Sequence, residues 1–348
     1  MRRVNTPPRR ASVVDVARAA GVSVGTVSNV LNRPDVVTAD TRERVLAAIR
    51  DLSYVRNASA RQLRQGSITT VGALLLDIRN PFFTEVARGI EDRLALDDHT
   101  LMLASSDDDP AREDKYLRLF EEHGVLGVLV VPTGRSLAHL EEMQRRGVAV
   151  VLLDATAGGA AGAGMSSVSV DDERGGELAA AHLLSQGFDR IVFLNGPHSI
   201  RQCEARRRGV DRAVHAAGLD PEQVVEEVLL GTLDAAGGDR ALGEWVDAHD
   251  GRAPAAVFCV NDLAAIGVQR CLRRRGGTAL LEATAIVGYD DIDVAAELAL
   301  PLTSVRQPTH DVGYEAAELL LRQAGGQPAR QTVFQPELVV RASSRARV

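Results

Sequence analysis

Beyond residue 70 the chain repeats one pattern, a short apolar run followed by an amphipathic helical stretch. The runs are VGALLLD (71–77), LMLAS (101–105), VLGVLVV (125–131), VAVVLLD (148–154), RIVFLNG (190–196), AAVFCVN (255–261) and TAIVGYD (284–290). Helical periodicity falls between most of them, over 83–96, 112–122, 175–186, 201–217 and 262–275. A strand with one solvated face alternates polar and apolar residues, whereas a strand covered on both faces is apolar throughout. The pattern therefore implies a parallel sheet with helices on both sides. There are too many runs for one small sheet, and a Gly/Ala-rich stretch at 157–164 interrupts them. The sequence predicts two doubly wound subdomains, with the chain crossing between them near 155–165 and near 290–310. Ligands of such sheets sit beyond the C-terminal strand ends, where this chain places Asp77, Asp154, Asn195, Asn261, Asp262, Asp290 and Asp291.

The first 66 residues are of another kind. In SVVDVARAAGVSVGTVSNVLN (12–32), Ser12 is placed to cap a helix whose Val13, Val16, Ala17 and Ala20 share one face. Gly21 can close that helix in the left-handed conformation. Ser23 can cap a second helix with Val27, Val30 and Leu31 inward and Val24, Gly25, Ser28 and Asn29 outward. A solvated helix face usually carries Lys and Glu; this one is small and uncharged, as a helix entering the major groove requires. An ordinary helical hairpin of an all-α domain fits the same periodicity. Thr38 can cap a third helix reaching Leu52, with Val45, Ile49 and Leu52 closing a small core.

Charge separates the two readings. Residues 1–66 hold 12 Arg and no Lys against five acids, a surplus of seven positive charges, while the whole chain has a formal net charge of -7. The remainder thus carries fourteen excess negative charges. A basic head on an acidic body suits phosphate neutralisation by the head alone. Residues 1–11 read as a disordered basic arm, 12–56 as the helix-turn-helix domain, 57–68 as a hinge and linker, and 69–348 as an effector-binding and dimerisation domain. Asn57 can cap a helix of about two turns over 58–64, too short to be stable alone. It is either a flexible basic linker or a hinge helix that folds on DNA and wedges Leu63 into the minor groove, with Arg61 and Arg64 on phosphates.

Other classes fare worse. No GxSxG elbow, Walker loop, HExxH or activated cysteine is present, so no enzyme is expected. Cys203, Cys259 and Cys271 follow no metal-like or disulfide spacing. Neither a cofactor nor a metal is expected. The N-terminus lacks a signal-peptide apolar region and no run is long enough to span a membrane, so no membrane partner and a cytoplasmic location are expected. A free-standing sugar-binding protein would not carry the basic head.

Taken together, the chain resembles the LacI/GalR family of bacterial transcription regulators over nearly its whole length. The resemblance rests on DVARAAGVSVGTVSNVLN, TRERVLAAIRDLSYVRNASARQLRQG, IRNPFF (78–83), VDDERGG (170–176), EARRRGV (204–210), VNDLAAIGV (260–268), IVGYDD (286–291) and PLTSVRQP (301–308), in the family's order. It implies a homodimeric regulator, in most cases a repressor, on a near-palindromic double-stranded DNA operator, and a periplasmic-binding-protein-like body holding a small effector, most often a carbohydrate. A nucleoside effector, or none, is the alternative within the same fold. By position, Val24, Gly25 and Asn29 would touch base edges and Thr26 and Ser28 phosphates, with Ser23, Asn32, Thr41, Asn57 and Ala60 in the same DNA-facing set. Leu63 would wedge at a central CpG step. Asn29 replaces a basic residue often found there, which favours adenine over guanine. For the effector, the resemblance implies Phe82 and Phe83 at the pocket mouth, Asp154 and Arg206 on opposite lobes, and Asn261, Asp290 and Gln307 beside them. Two positions depart from the family: Leu233 stands where several members have an aromatic, and Gln202 where a small residue is usual.

Overall fold

The computed structural model describes residues 11–54, 68–132, 136–155 and 164–345, which fall into two compact units divided between Ile68 and Thr69. Asn57, Ala60, Leu63 and the expected hinge helix lie outside the described residues.

The first unit is a three-helix domain of α1 (Val13–Ala20), α2 (Val24–Asn32) and α3 (Ala39–Asp51). Ser12 and Asp15 form a reciprocal capping box, Gly21 closes α1 at φ 64°, and Ser23 Oγ accepts from Thr26 N at 3.0 Å to start α2. Val16, Ala17, Ala20, Val27, Val30, Val45 and Ala48 make a core of seven buried side chains. Two expectations need correction. Thr38 stands at the N-cap of α3 but makes no capping bond, because its hydroxyl donates to Thr41 Oγ1 at 3.0 Å. Leu52 follows the last turn of α3 and is 37% exposed; Tyr54 packs against the core in its place.

The second unit holds two six-stranded sheets. In the first, β1 (Thr70–Leu75), β2 (Thr100–Ser105), β3 (Gly127–Val130), β4 (Ala149–Leu153), β5 (Ser166–Val170) and β11 (Gln331–Phe334) run parallel in the order β11-β5-β4-β3-β1-β2. In the second, β6 (Ile191–Asn195), β7 (Val225–Leu229), β8 (Ala256–Cys259), β9 (Ala285–Asp290), β10 (Thr303–Arg306) and β12 (Glu337–Val339) follow the order β12-β10-β9-β8-β6-β7, with only the β10–β12 pair antiparallel.

The first expected crossover is displaced. Strands β4 and β5, on either side of 155–165, are parallel neighbours in one sheet, so both belong to the first lobe, and the chain passes to the second between Val170 and Asp172. It returns between Arg306 and Thr309 and crosses again between Phe334 and Glu337, a third connection the sequence did not reveal. Strands β5 (SSVSV) and β10 (TSVR) have no apolar run because their hydroxyls are bonded when buried. Ser166 Oγ meets Gln323 Oε1 at 2.9 Å, and Ser304 Oγ meets Asp262 Oδ1 at 2.6 Å.

Helix pairs close the sheets at near-backbone contact. A Cβ on Gly89 would lie 2.0 Å from His310 O and one on Gly313 2.0 Å from Val86 O; Gly176 and Gly209 lock Asp172–Ser185 against Arg201–Ala216 in the same reciprocal way. The second pair sets the height of Arg206, whose carbonyl would meet a Gly176 Cβ at 2.1 Å.

Candidate functional site

Between the lobes, at the C-terminal strand ends, lies a cleft of about 440 Å³. Its lining includes all nine residues expected at the effector site: Phe82, Phe83, Asp154, Gln202, Arg206, Leu233, Asn261, Asp290 and Gln307. Leu76, Asn80, Ile200, Cys203 and Val260 complete it.

From the first lobe, Asn80 caps the helix Pro81–Ala95 by accepting from Phe82 N at 3.0 Å, which brings Phe82 and Phe83 to the cleft wall. Their rings meet edge to face at 4.9 Å, and both are buried, so they serve the lobe's core and the cleft together. Asp154 ends β4 in the left-handed region at φ 50°, and its Oδ1 is buried with no hydrogen-bond partner among the described residues. Burial, then the Asp172 charge, raise its pKa to about 7.

The second lobe is wired internally. Arg206 is 7% exposed; its Nε donates to Asp172 Oδ1 at 3.0 Å, another guanidinium nitrogen to Val260 O, and the plane lies 3.6 Å from the Tyr289 ring centroid. Burial opposes that charge, but Asp172 outweighs it and holds Arg206 above its ordinary pKa. Tyr289 Oη donates to Asp172 Oδ1 at 3.2 Å through a gap kept open by Gly175, whose Cβ would lie 2.0 Å from that hydroxyl. Asn261 caps the helix that starts at Asp262, accepting from Ala264 N at 2.8 Å while donating to Leu233 O at 2.9 Å. Asp290 accepts from Gln307 Nε2 at 2.8 Å, and its pKa is raised to about 6, chiefly by burial. The other strand-end polar groups turn elsewhere. Asp77 binds Arg79, Asn195 binds Glu227 and Cys203 O, Asp262 holds Ile292 N and Ser304, and Asp291 pairs with Arg306 and Arg341.

In the first unit, α2 exposes Val24, Gly25 and Asn29, while Thr26 and Ser28 are half-buried. A Cβ on Gly25 would meet only Ser23 Oγ, at 3.5 Å, so packing does not demand a glycine there. Ser23 Oγ and Thr26 Oγ1 lie 2.9 Å apart, Thr41 bonds Thr38, and Asn32 Nδ2 turns back to Ser28 O at 2.8 Å.

Residues 12–57 match the family described as "Bacterial regulatory proteins, lacI family", and residues 180–344 match "Periplasmic binding protein-like domain". The chain is 37% identical over 325 residues to the ribose operon repressor of Bacillus subtilis (strain 168), covering 93% of this chain and 95% of that one. It belongs to the LacI family of bacterial regulatory proteins. The HTH-type transcriptional repressor PurR of Aliivibrio fischeri (strain ATCC 700601 / ES114) is 32% identical, covering 96% of this LacI-family chain and 98% of the relative. A LacI family transcriptional regulator from Enterococcus faecium, solved with bound ribose, superposes with a TM-score of 0.70 at 29% identity, covering 80% of this chain and all of that one.

Membership identifies the first unit as the family's DNA-binding helix-turn-helix and the second as its periplasmic-binding-protein-like body. These relatives are transcriptional regulators rather than enzymes. Among the described residues no group could hold a metal, and no helix is long and apolar enough to cross a membrane. Sequence reasoning missed Asn80, Asp172 and Tyr289, although all three lie inside or beside motifs quoted for the family. Asn80 and Asp172 precede helices as capping or first-turn residues, a local role that hid the second one. Tyr289 is wholly buried and reads as core.

Proposed function

We propose that this LacI-family chain is a repressor that binds a near-palindromic operator as a homodimer, under control of a neutral monosaccharide held in the body's cleft. The observation that carries the effector class is Asp154 Oδ1, a buried acceptor aimed at the cavity with no protein donor among the described residues. Leaving such a group unpaired is costly, and a sugar hydroxyl supplies the missing donor. Phe82 and Phe83 give an apolar wall for ring carbons, while Arg206, Asn261 and Gln307 supply donors. The carboxyl groups that line the cleft, Asp154 and Asp290, face a single guanidinium, Arg206, which Asp172 already pairs from behind, an arrangement that disfavours phosphorylated sugars and nucleotides. The ribose operon repressor and the ribose-bound regulator make D-ribose the first candidate.

On the operator, Val24, Gly25 and Asn29 contact base edges, with Ser23, Thr26, Ser28, Asn32 and Thr41 at the backbone; Asn57, Ala60 and Leu63 act at the minor groove. Because α2 offers few reading groups, much of the specificity comes from deformation of the operator centre by Leu63. The test is fluorescence anisotropy on a labelled operator from the chain's own upstream region, with D-ribose, D-ribose 5-phosphate and adenosine added in turn. D-ribose alone should shift operator affinity, by roughly 5- to 150-fold. A response to the phosphate or the nucleoside but not the free sugar would contradict the effector assignment.

A further inference from the structure

Among the described residues, two hydrogen bonds span the cleft from lobe to lobe, and they differ in kind. Asn80 Nδ2 donates to Asp290 Oδ2 at 3.4 Å, a long contact between two side chains that both face the cavity. Gln202 Nε2 donates at 3.0 Å to the main-chain carbonyl of Asp154. A ligand hydroxyl that engages Asp290 competes with the first bond. The second uses the main-chain carbonyl and leaves Asp154 Oδ1 without a partner, so a ligand can take that oxygen without breaking it.

The two ends of that bond are well anchored. Gln202 stands in the first turn of Arg201–Ala216, between Ile200 and Cys203, which line the same wall. Asp154 is fixed on its far side by its N–H, which donates to Val168 O at 2.9 Å, and by the φ of 50° that also directs its side chain. The bond therefore ties the second lobe to the backbone of the residue that carries the free acceptor. A ligand reaching past Asp154 toward the 200–202 wall has to break it.

We infer that Gln202 is a positioning and specificity-determining residue: it clasps the lobes at Asp154 whether or not the cleft is filled, and it limits the effector to one ring. Only the second half rests on the sugar assignment above. One neutral hydrogen bond changes an equilibrium by about 2- to 12-fold, so the clasp biases closure without locking it. It also explains how a chain with Leu233 in place of an aromatic can retain a narrow cleft, since a polar bridge replaces part of an apolar wall.

The experiment measures the distance between spin labels placed one on each lobe of the full-length chain. It compares wild type with Gln202→Met, which keeps the length without the donor, and Gln202→Ala, which also removes the wall. Without any sugar, both variants should populate the long distance about 2- to 12-fold more than wild type, with unchanged melting temperatures because Gln202 is only half-buried. With D-ribose, Gln202→Met should bind several-fold more weakly, and Gln202→Ala should gain affinity for cellobiose. Identical ligand-free distance distributions in all three proteins would overturn the clasp. Tighter D-ribose binding by Gln202→Met than by wild type would also overturn it, by showing that Gln202 competes with the ligand. Should wild type bind neither sugar, the effector assignment fails while the ligand-free distances still decide the clasp.

Discussion

The two walls of the cleft are built on opposite plans. In the second lobe the polar groups of the lining are each held by protein partners, while Arg206 and Asn261 keep further N–H groups for a ligand: Arg206 is held by Asp172, Val260 O and the Tyr289 face, Asn261 by Ala264 N and Leu233 O, and Asp290 by Gln307. The first lobe offers a free carboxylate oxygen on Asp154. A wall whose side chains are held before the ligand arrives is a preorganised template and costs little reorganisation on binding. A wall with an unsatisfied acceptor is the one whose energy changes most when the ligand enters. Under the proposed function, the first lobe would be the sensing half and the second the receiving half.

That contrast breaks most severely at Arg206. Arg206→Ala leaves Asp172 buried beside Tyr289 without its counter-charge, and should cost roughly 3–5 kcal/mol of stability in urea unfolding. The double variant Arg206→Met with Asp172→Asn should recover much of that stability while still failing to bind sugar. Full recovery of binding would show that the second lobe is not a template at all.

At Asp154 the opposite outcome is expected. Its folded pKa of about 7 lies above the ordinary carboxylate value, so between about pH 4 and pH 7 the folded chain binds a proton that the unfolded chain has lost. Its contribution to stability therefore falls as pH rises through that window. Asp154→Asn removes the dependence: its melting temperature should match wild type near pH 5 and exceed it by a few degrees at pH 8. A variant less stable than wild type at pH 8 would assign Asp154 to the fold instead of the ligand.

The smallest effect lies in the DNA-binding unit, at Gly25 on the exposed face of α2. Because a Cβ at Gly25 meets only Ser23 Oγ at 3.5 Å, Gly25→Ala should stabilise the isolated melting of that unit by about 0.5–1 kcal/mol. Operator preference should change at the facing base pair. Lower stability would mean that packing, and not the groove, requires the glycine.

Much of this was legible in the sequence because the relevant residues stand where elements end. Asp154, Asn261 and Asp290 follow apolar runs, and Ser12, Gly21 and Ser23 bracket periodic ones, so position alone nominated them. Function was harder to separate from structure at equivalent sites: Asp262 and Asp291 occupy the same strand ends as their neighbours yet spend their oxygens on Ser304, Ile292 N and arginines. The 157–164 break misled because a Gly/Ala-rich composition marks a loop without saying whether the chain changes sheets. Strands β5 and β10 escaped notice because serine and threonine there are buried by partners distant in sequence, Gln323 and Asp262 among them. Asp172 and Tyr289 act on Arg206 from behind, and only a three-dimensional contact reveals such a role.

The most direct test of the unequal walls is calorimetric titration of D-ribose into the full-length wild type and Asp154→Asn at pH 6 and pH 8. If Asp154 near pKa 7 must be ionised to accept the sugar hydroxyl, wild-type affinity should rise about tenfold between those pH values. Asp154→Asn should bind weakly and equally at both. Wild-type affinity independent of pH, or Asp154→Asn binding as tightly as wild type, would contradict the assignment of Asp154 as the sensing group.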